Sequence, residues 1–294
     1  MRLAGVLRLE AMMSLNHSLV GVPGEPHERS WTSTDALLYA IGVGAGLGDP
    51  LRELQFTTEN TAGVEQQVLP TFGVLLAQAR TAGDLGDFDR AMLVHAEQSI
   101  ELHSPLPVHG TLRTSAMVTG IYDKGSGALV ETQNQAVDAV TGEPMVTTRG
   151  STFIRGEGGF GGDRGSAPSW ELPERAPDYK VTQQTRPEQA LLYRLSGDRN
   201  PLHADPAFAA RGGFSRPILH GLCTYGITGR VLLHELCGSD PARFRSMSGR
   251  FSRPVLPGES LVVSIWAGDD GTAQFQTAKE DGTVVIDRGI VEFR

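Results

Sequence analysis

The 294-residue chain lacks several features that would assign it to a large protein class. No apolar run reaches the roughly 18 residues expected of a membrane-crossing helix. There are only two cysteines, Cys223 and Cys237, and both fall in one predicted helix. Fourteen residues at about 1.5 Å each separate them by about 21 Å, too far for a disulfide within that helix. Two thiols alone make no zinc site, and a reducing compartment is the plain expectation. Positive charge is also short: 26 Lys and Arg face 34 Asp and Glu, a net charge of −8. That balance argues against a nucleic-acid partner, although a local basic pocket for an anionic small ligand stays open. Arg8 and Glu10 break the first apolar stretch, so no secretory leader is expected. Val291-Glu292-Phe293-Arg294 is no peroxisomal address, and a cytoplasmic location is expected. Met12 or Met13 could be the true start, and residues 1–25 read as an N-terminal tail.

What the chain does contain is a repeat. Asp35-Ala36-Leu37-Leu38-Tyr39 returns as Gln189-Ala190-Leu191-Leu192-Tyr193. Pro70-Thr71-Phe72-Gly73, opening an apolar run, returns as Pro217-Ile218-Leu219-His220-Gly221. Ser104-Pro105-Leu106-Pro107 returns near Arg253-Pro254-Val255-Leu256-Pro257. The offsets are 154 (36 to 190), 147 (70 to 217) and 150 (106 to 256), in the same order. Two repeats are therefore expected, residues 26–155 and 179–294, joined by a Gly- and Pro-rich linker over 156–178. The linker spells GxGxxG at Gly156, Gly158 and Gly161. A dinucleotide site needs a helix directly after such glycines, and Asp163-Arg164-Gly165-Ser166 offers none.

Each repeat reads as helix, loop, helix and then several strands. From Val94 to His103 the pattern alternates, with Val94, Ala96, Gln98, Ile100 and Leu102 on one face. Leu112–Val118, Ala128–Val140 and Met145–Ile154 continue that sheet. Leu261–Trp266, Ala273–Thr277 and Val284–Phe293 build the second. Leu219 to Leu236 is a long apolar helix for a sheet to wrap. The predicted class is α+β, two units each with a curved antiparallel sheet around a buried helix.

Chemistry concentrates in Tyr193 to His203, YRLSGDRNPLH. A helix ends near Leu195, and Asn200-Pro201 forbids its continuation. Asp198, Asn200 and His203 therefore occupy a tight loop. A carboxylate and an imidazole five residues apart can act as an acid/base pair near neutral pH, and Asn200 can hold a water. Asp-x-Asn-Pro is also ordinary turn chemistry, and the loop alone leaves both readings open.

This segment, with Ala204-Asp205-Pro206 and Arg216-Pro217-Ile218-Leu219-His220-Gly221-Leu222, resembles the signature of the MaoC-like hydratase 2 family. These are (R)-specific 2-enoyl-CoA hydratases. Leu37 to Gly44, His95-Ala96-Glu97-Gln98, Asp123 to Gly127 and Gly158 to Gly162 resemble the hydratase 2 domain of peroxisomal multifunctional enzyme type 2. The resemblance covers about residues 30 to 294. It implies a double hotdog fold, an acyl-CoA thioester substrate, no metal or redox cofactor, and a homodimer. It places the acid/base dyad on Asp198 and His203 and the water-holding amide on Asn200. The oxyanion donor falls on the backbone N–H of Gly221, at a helix start where the dipole favours negative charge. Aligning Ala36 with Ala190 sets Gly44 against Asp198 and Asp49 against His203. The first repeat is thus expected to be catalytically silent and to accommodate the acyl tail, which Gly42, Gly44, Gly46 and Gly48 would assist by loosening its helix.

Further substrate-binding candidates are Glu59, which matches an acidic family position, and His220 beside Gly221. Arg216, Arg250 and Arg253 are candidates for the CoA phosphates. His95, His103 and His109 read as structural. The rival functions on this fold are a thioesterase or carrier-protein dehydratase, and a non-catalytic acyl-CoA-binding protein.

Overall fold

In a computed structural model, the structure describes residues 15–166 and 169–294. The alternative starts at Met12 and Met13 lie outside that range. Residues beyond Leu15 in the expected tail pack against the first repeat. Leu15 and Leu19 are buried, and Gly21 and Gly24 donate to the carbonyls of Val118 and Ala116.

The strands are β1 (His27–Trp31), β2 (Leu93–Leu102), β3 (Gly110–Asp123), β4 (Gly127–Asp138) and β5 (Pro144–Arg155) in the first repeat. The second repeat supplies β6 (Tyr179–Gln184), β7 (Phe244–Phe251), β8 (Ser260–Ala267), β9 (Thr272–Lys279) and β10 (Val284–Phe293). All ten join one sheet in the order β1-β3-β4-β5-β2-β7-β10-β9-β8-β6. The order is palindromic: β1 matches β6, β2 matches β7, and so on outward from the centre. β2 and β7 pair antiparallel with Ser99 opposite Ser248. An offset of 149 (99 to 248) thus falls inside the range of the sequence repeats. The edge strands β1 and β6 and the central β7 escaped the sequence reading. β7 is FRSMSGRF, whose Ser, Gly and Arg residues hide its apolar face.

The helices are α1 (Ser33–Gly42), α2 (Leu54–Thr57), α3 (Phe72–Leu76), α4 (Gln189–Tyr193), α5 (Pro206–Arg211) and α6 (Gly221–Cys237). Thr32 and Asp35 close a capping box on α1, satisfying N–H groups that its first turn leaves open. Helix α6 is the predicted central helix, starting two residues later than expected and holding both cysteines unpaired. All of it is buried except Gly221, His234 and Glu235. A helix apolar all round belongs inside a core. Its counterpart α3 has only five residues. Gly226 and Gly229 let the first repeat press against α6: a Cβ there would lie 2.6 Å from Val43 Cγ1 and 2.5 Å from Thr71 Cγ2. The main hydrophobic core runs through both repeats, from Trp31 and Leu75 to Tyr225 and Phe275, with smaller separate clusters around Val118 in the first and Leu202 in the second.

The glycine run of the linker folds back on Asp123. Its carboxylate accepts from the N–H groups of Gly125, Gly159 and Gly161 at 2.7–2.8 Å. These glycines serve a turn within the protein, and among the described residues no helix directly follows them.

Candidate active site

The loop after α4 is fixed by its own side chains. Asp198 Oδ1 accepts from Asn200 N–H at 3.2 Å, and Asn200 Oδ1 accepts from Leu202 N–H at 3.0 Å. Asp205 caps α5 through Ala207 and Phe208. The turn chemistry of this stretch is real, and it aims the polar groups rather than competing with them. Asp198, Asn200, His203 and Gly221 all line one cavity of about 260 Å³.

His203 is buried, and its Nδ1–H donates to the Ile218 carbonyl at 2.9 Å. That bond fixes the tautomer and leaves Nε2 as a lone-pair acceptor. Burial lowers the His203 pKa, against the opposing pull of the Ile218 bond and the Asp198 charge. The ring is therefore neutral near pH 7. His220 stacks on it, centroids 3.8 Å apart with 29° between the planes. Its Nε2–H donates to the Asp198 carbonyl at 3.3 Å, and the Tyr193 ring packs against it with centroids 4.9 Å apart. Burial, then the neighbouring His203, pushes the His220 pKa down to about 3. His220 thus braces both Asp198 and His203, and lies outside the cavity lining.

Donor atoms of Asp198, His203 and His220 lie within 4.8 Å of one another. Two rings stacked this way hold their in-plane lone pairs in planes that diverge by only 29°. They do not converge on one ion about 2 Å from each nitrogen. The donor geometry suits stacking, not ligation.

Gly221 opens α6. The first intrahelical bonds belong to Cys223 and Thr224, both to the His220 carbonyl, so the N–H of Gly221 precedes the ladder. His220, the N-cap, supplies no side-chain cap. A Cβ on Gly221 would stand 3.3 Å from the Phe251 ring, so any larger residue crowds the cavity wall.

The remaining candidates separate. Arg253 lines the cavity, is exposed, and donates to the Ser252 carbonyl at 3.0 Å. Arg250 lines the adjoining groove with Arg253, but Asp287 holds it in a bidentate pair at 2.6 and 2.7 Å. Its charge is already matched. Arg216 and Glu59 are exposed and outside the cavity lining. The acidic residue that does reach the interior from this loop region is Glu53, which pairs with Arg230 of α6.

Sequence reading also missed the cavity's far wall, which the first repeat builds from Leu93, Val94 and His95 on β2 and Thr152 and Arg155 on β5. His95 was expected to be structural. The alternation assumed for β2 breaks at a register shift between His95 and Glu97, beyond which the strand turns its side chains into the cavity. His103, by contrast, stays on the sheet surface bonded to Thr147.

A family model described as "MFE-2 hydratase 2 N-terminal domain" matches residues 30–156, and one described as "MaoC like domain" matches residues 169–289. The chain is 47% identical to 3-hydroxyacyl-thioester dehydratase Y of Mycobacterium tuberculosis, over 96% of this chain and 99% of that one. The chain belongs to the MaoC-like hydratase 2 family. It is 44% identical to enoyl-CoA hydratase ChsH3 of the same organism, covering 91% and 94% of the two chains. A crystal structure of a MaoC-like dehydratase from Phytophthora capsici superposes with a TM-score of 0.83 at 35% identity, covering 94% of this chain and 96% of that one. The fold is the α+β double hotdog, and the family's enzymes are enoyl-thioester hydro-lyases.

Proposed function

We propose that this enzyme adds water to trans-2-enoyl-CoA thioesters to give (3R)-hydroxyacyl-CoA, with Asp198 and His203 as the acid/base dyad. One observation carries the reading: a neutral imidazole with a fixed tautomer, a carboxylate and an open helix N-terminus share a single cavity. The thioester carbonyl rests on the N–H of Gly221, where the helix dipole stabilises the enolate charge that builds as water attacks. Water sits among Asp198, Asn200 and His203. Its oxygen bonds C3, the dyad takes one of its protons, and C2 receives one proton from the dyad. The dyad is unchanged over the cycle, and no cofactor is needed for the balance. The same site run backwards is a 3-hydroxyacyl-thioester dehydratase, the activity named for the Mycobacterium tuberculosis relative. The R stereochemistry follows the family resemblance.

In this reading residues 179–294 form the catalytic repeat and 26–155 the silent one, giving one site per chain. The silent repeat contributes the cavity's far wall, and Leu93 and Val94 there suit a hydrocarbon tail. The glycine run after α1 takes no part in that wall. Fatty acyl tails are the proposed substrates, and a steroid-sized tail would require the roughly 260 Å³ cavity to open further. Arg253, at the rim, is placed for a CoA phosphate. The test is loss of the enoyl chromophore across trans-2-enoyl-CoAs from four carbons to a steroid side chain. Turnover is expected. Thioester cleavage without hydration, or binding without turnover, refutes the hydratase.

A further inference from the structure

The loop that follows the first helix of each repeat meets a guanidinium from the other repeat. In the silent repeat this loop follows α1. Arg230 of α6 donates to its Val43 carbonyl at 3.2 Å and stands 3.4 Å from where a Cβ on Gly44 would lie. In the catalytic repeat the loop follows α4. Arg29 of β1 reaches it from the first repeat, its Nη2 only 2.9 Å from where a Cβ on Gly197 would lie. The offset of 154 that relates Ala36 to Ala190 relates Val43 to Gly197 and Gly44 to Asp198 (43 to 197, 44 to 198). The same offset relates two turns: Thr32 N–H donates to the Asp35 carboxylate as Arg186 N–H donates to the Gln189 side-chain oxygen. The two guanidinium contacts therefore fall at equivalent places in the two repeats.

We propose that Arg29 is a positioning residue for the reaction: it fixes the turn at Gly197 and, through it, the carboxylate of Asp198. This rests on the hydratase reading above. On its C-terminal side Asp198 is held by its own repeat. Its carbonyl accepts from His220 and its carboxylate from Asn200 N–H. On its N-terminal side stands Gly197, at φ 126° and ψ −21°, a conformation that side-chain-bearing residues rarely adopt. Glycine is the residue whose backbone turns most freely, and rotation there swings the carboxylate of the next residue. A misplacement of about 1 Å can cost about 10²-fold in rate.

Arg29 is suited to stopping that rotation. Its Nη1 is anchored by the Leu75 carbonyl of α3 at 2.6 Å. A guanidinium is planar and rigid, so anchoring one arm fixes the other, and here the other arm lies on Gly197. The group gives up hydration to sit there: burial lowers its pKa against the opposing charge of Asp35. The twin of Arg29 at the same offset is Gln183 (29 to 183), which bonds Arg230, the guanidinium on the silent loop. Each repeat thus braces the other's loop, and the one brace that bears on chemistry comes from the repeat without a dyad.

Hydration kinetics of four proteins test this: wild type, Arg29→Met, Asp198→Asn and the double variant. Arg29→Met keeps the stem and removes the guanidinium. It is expected to lower kcat about tenfold, with KM within about threefold of wild type. In the Asp198→Asn background the same change should cost less than about twofold, because a residue that acts through Asp198 has no carboxylate left to place. An equal fold loss in both backgrounds marks a general structural role and overturns the proposal. So does a kcat for Arg29→Met within about twofold of wild type. Arg29→Lys covers the case in which Arg29→Met fails to fold: it keeps a cationic donor for the Leu75 carbonyl without the planar group on Gly197. It should melt within about 2 °C of wild type and still lose about fivefold in kcat, and full activity there also overturns the proposal. Hydrogen exchange reads the loop without substrate. Residues 194–203 should exchange about tenfold faster in Arg29→Met while α6 is unchanged, and unchanged exchange in that segment refutes the brace. If wild type hydrates no enoyl-CoA, the hydratase reading fails, and exchange alone decides whether Arg29 holds the loop.

Discussion

Arg230 lies in the middle of α6, 6% exposed, and holds the two repeats together. Its guanidinium donates to both Glu53 oxygens at 2.7 and 2.8 Å, to the Val43 carbonyl at 3.2 Å and to Gln183 Oε1 at 2.5 Å. Glu53 also accepts from Gly46 N–H and bonds His234 Nε2 at 2.6 Å. Burial alone would raise the Glu53 pKa. The His234 bond and the Arg230 charge outweigh it and bring the carboxyl from 4.5 down to about 2. A carboxyl depressed in the folded state adds stability above its unfolded pKa and loses it as pH falls through the folded one. The window here is pH 4.5 to 2, and the difference corresponds to about 3 kcal/mol at pH 7. Breaking a buried ion pair by removing one partner costs about 3–5 kcal/mol, a consistent figure. Arg230→Met should therefore destabilise the protein by about 3 kcal/mol or more at pH 7. At about 2.1 cal/mol/K per residue over this length, that lowers Tm by about 5 °C. Because Arg230→Met leaves the buried Glu53 without its guanidinium, adding Glu53→Gln should restore part of the loss. Thermal melts of wild type, single and double variants at pH 7 read all three. A single variant melting within about 1 °C of wild type refutes the argument.

Asp198→Asn and His203→Gln should each lower hydration rate by about 10²–10⁴-fold with melting temperatures near wild type. Near-normal turnover in either removes it from the dyad. The lowered His203 pKa has a signed consequence: a ring that resists protonation stays neutral below pH 6.5, so activity should persist there and fall only at lower pH. The same group contributes stability that is full above pH 6.5 and is lost as pH falls from 6.5 through the lower folded pKa, so stability should begin to decline before the rate does on the acid side. A pH–rate limb above 6.5 that vanishes in His203→Gln contradicts this. Arg253→Ala should raise KM for CoA thioesters and leave truncated thioesters without the nucleotide unaffected, whereas Arg216→Ala should change neither.

The fold was legible where pattern and composition agree. Alternation along β2, the strand-like segments of β8 and β10 and the apolar run of α6 marked the sheet and its central helix. The echo between Ala36 and Ala190 disclosed a symmetry that the strand order then displays in full. Local chemistry also marked the dyad loop, because Asp, Asn and Pro in that order must form a turn. What stayed hidden depends on tertiary contact. The bulge at His95 leaves no trace in residue type, so period-two alternation put His95 on the wrong face. Arg250 and Arg253 are three residues apart in a basic stretch, and only Asp287, distant in sequence, distinguishes the matched guanidinium from the open one. Glu59 drew notice through the family pattern, while Glu53, at φ 62°, makes the contact with Arg230.

The sheet is symmetric and the chemistry is not, and the difference sits at two loops. After α4 the chain places Asp198 and His203 beside the start of a 17-residue helix. After α1 the corresponding loop offers Gly44, whose absent Cβ would lie 3.4 Å from Arg230 Nη2, and the nearby helix α3 has only five residues. A side chain at Gly44 would press on the guanidinium, and a carboxylate there would compete with Glu53 for it. The Arg230 pair and a second dyad are therefore alternative uses of the same space. With the pair in place, the first repeat still supplies cavity wall through Leu93, Val94 and His95.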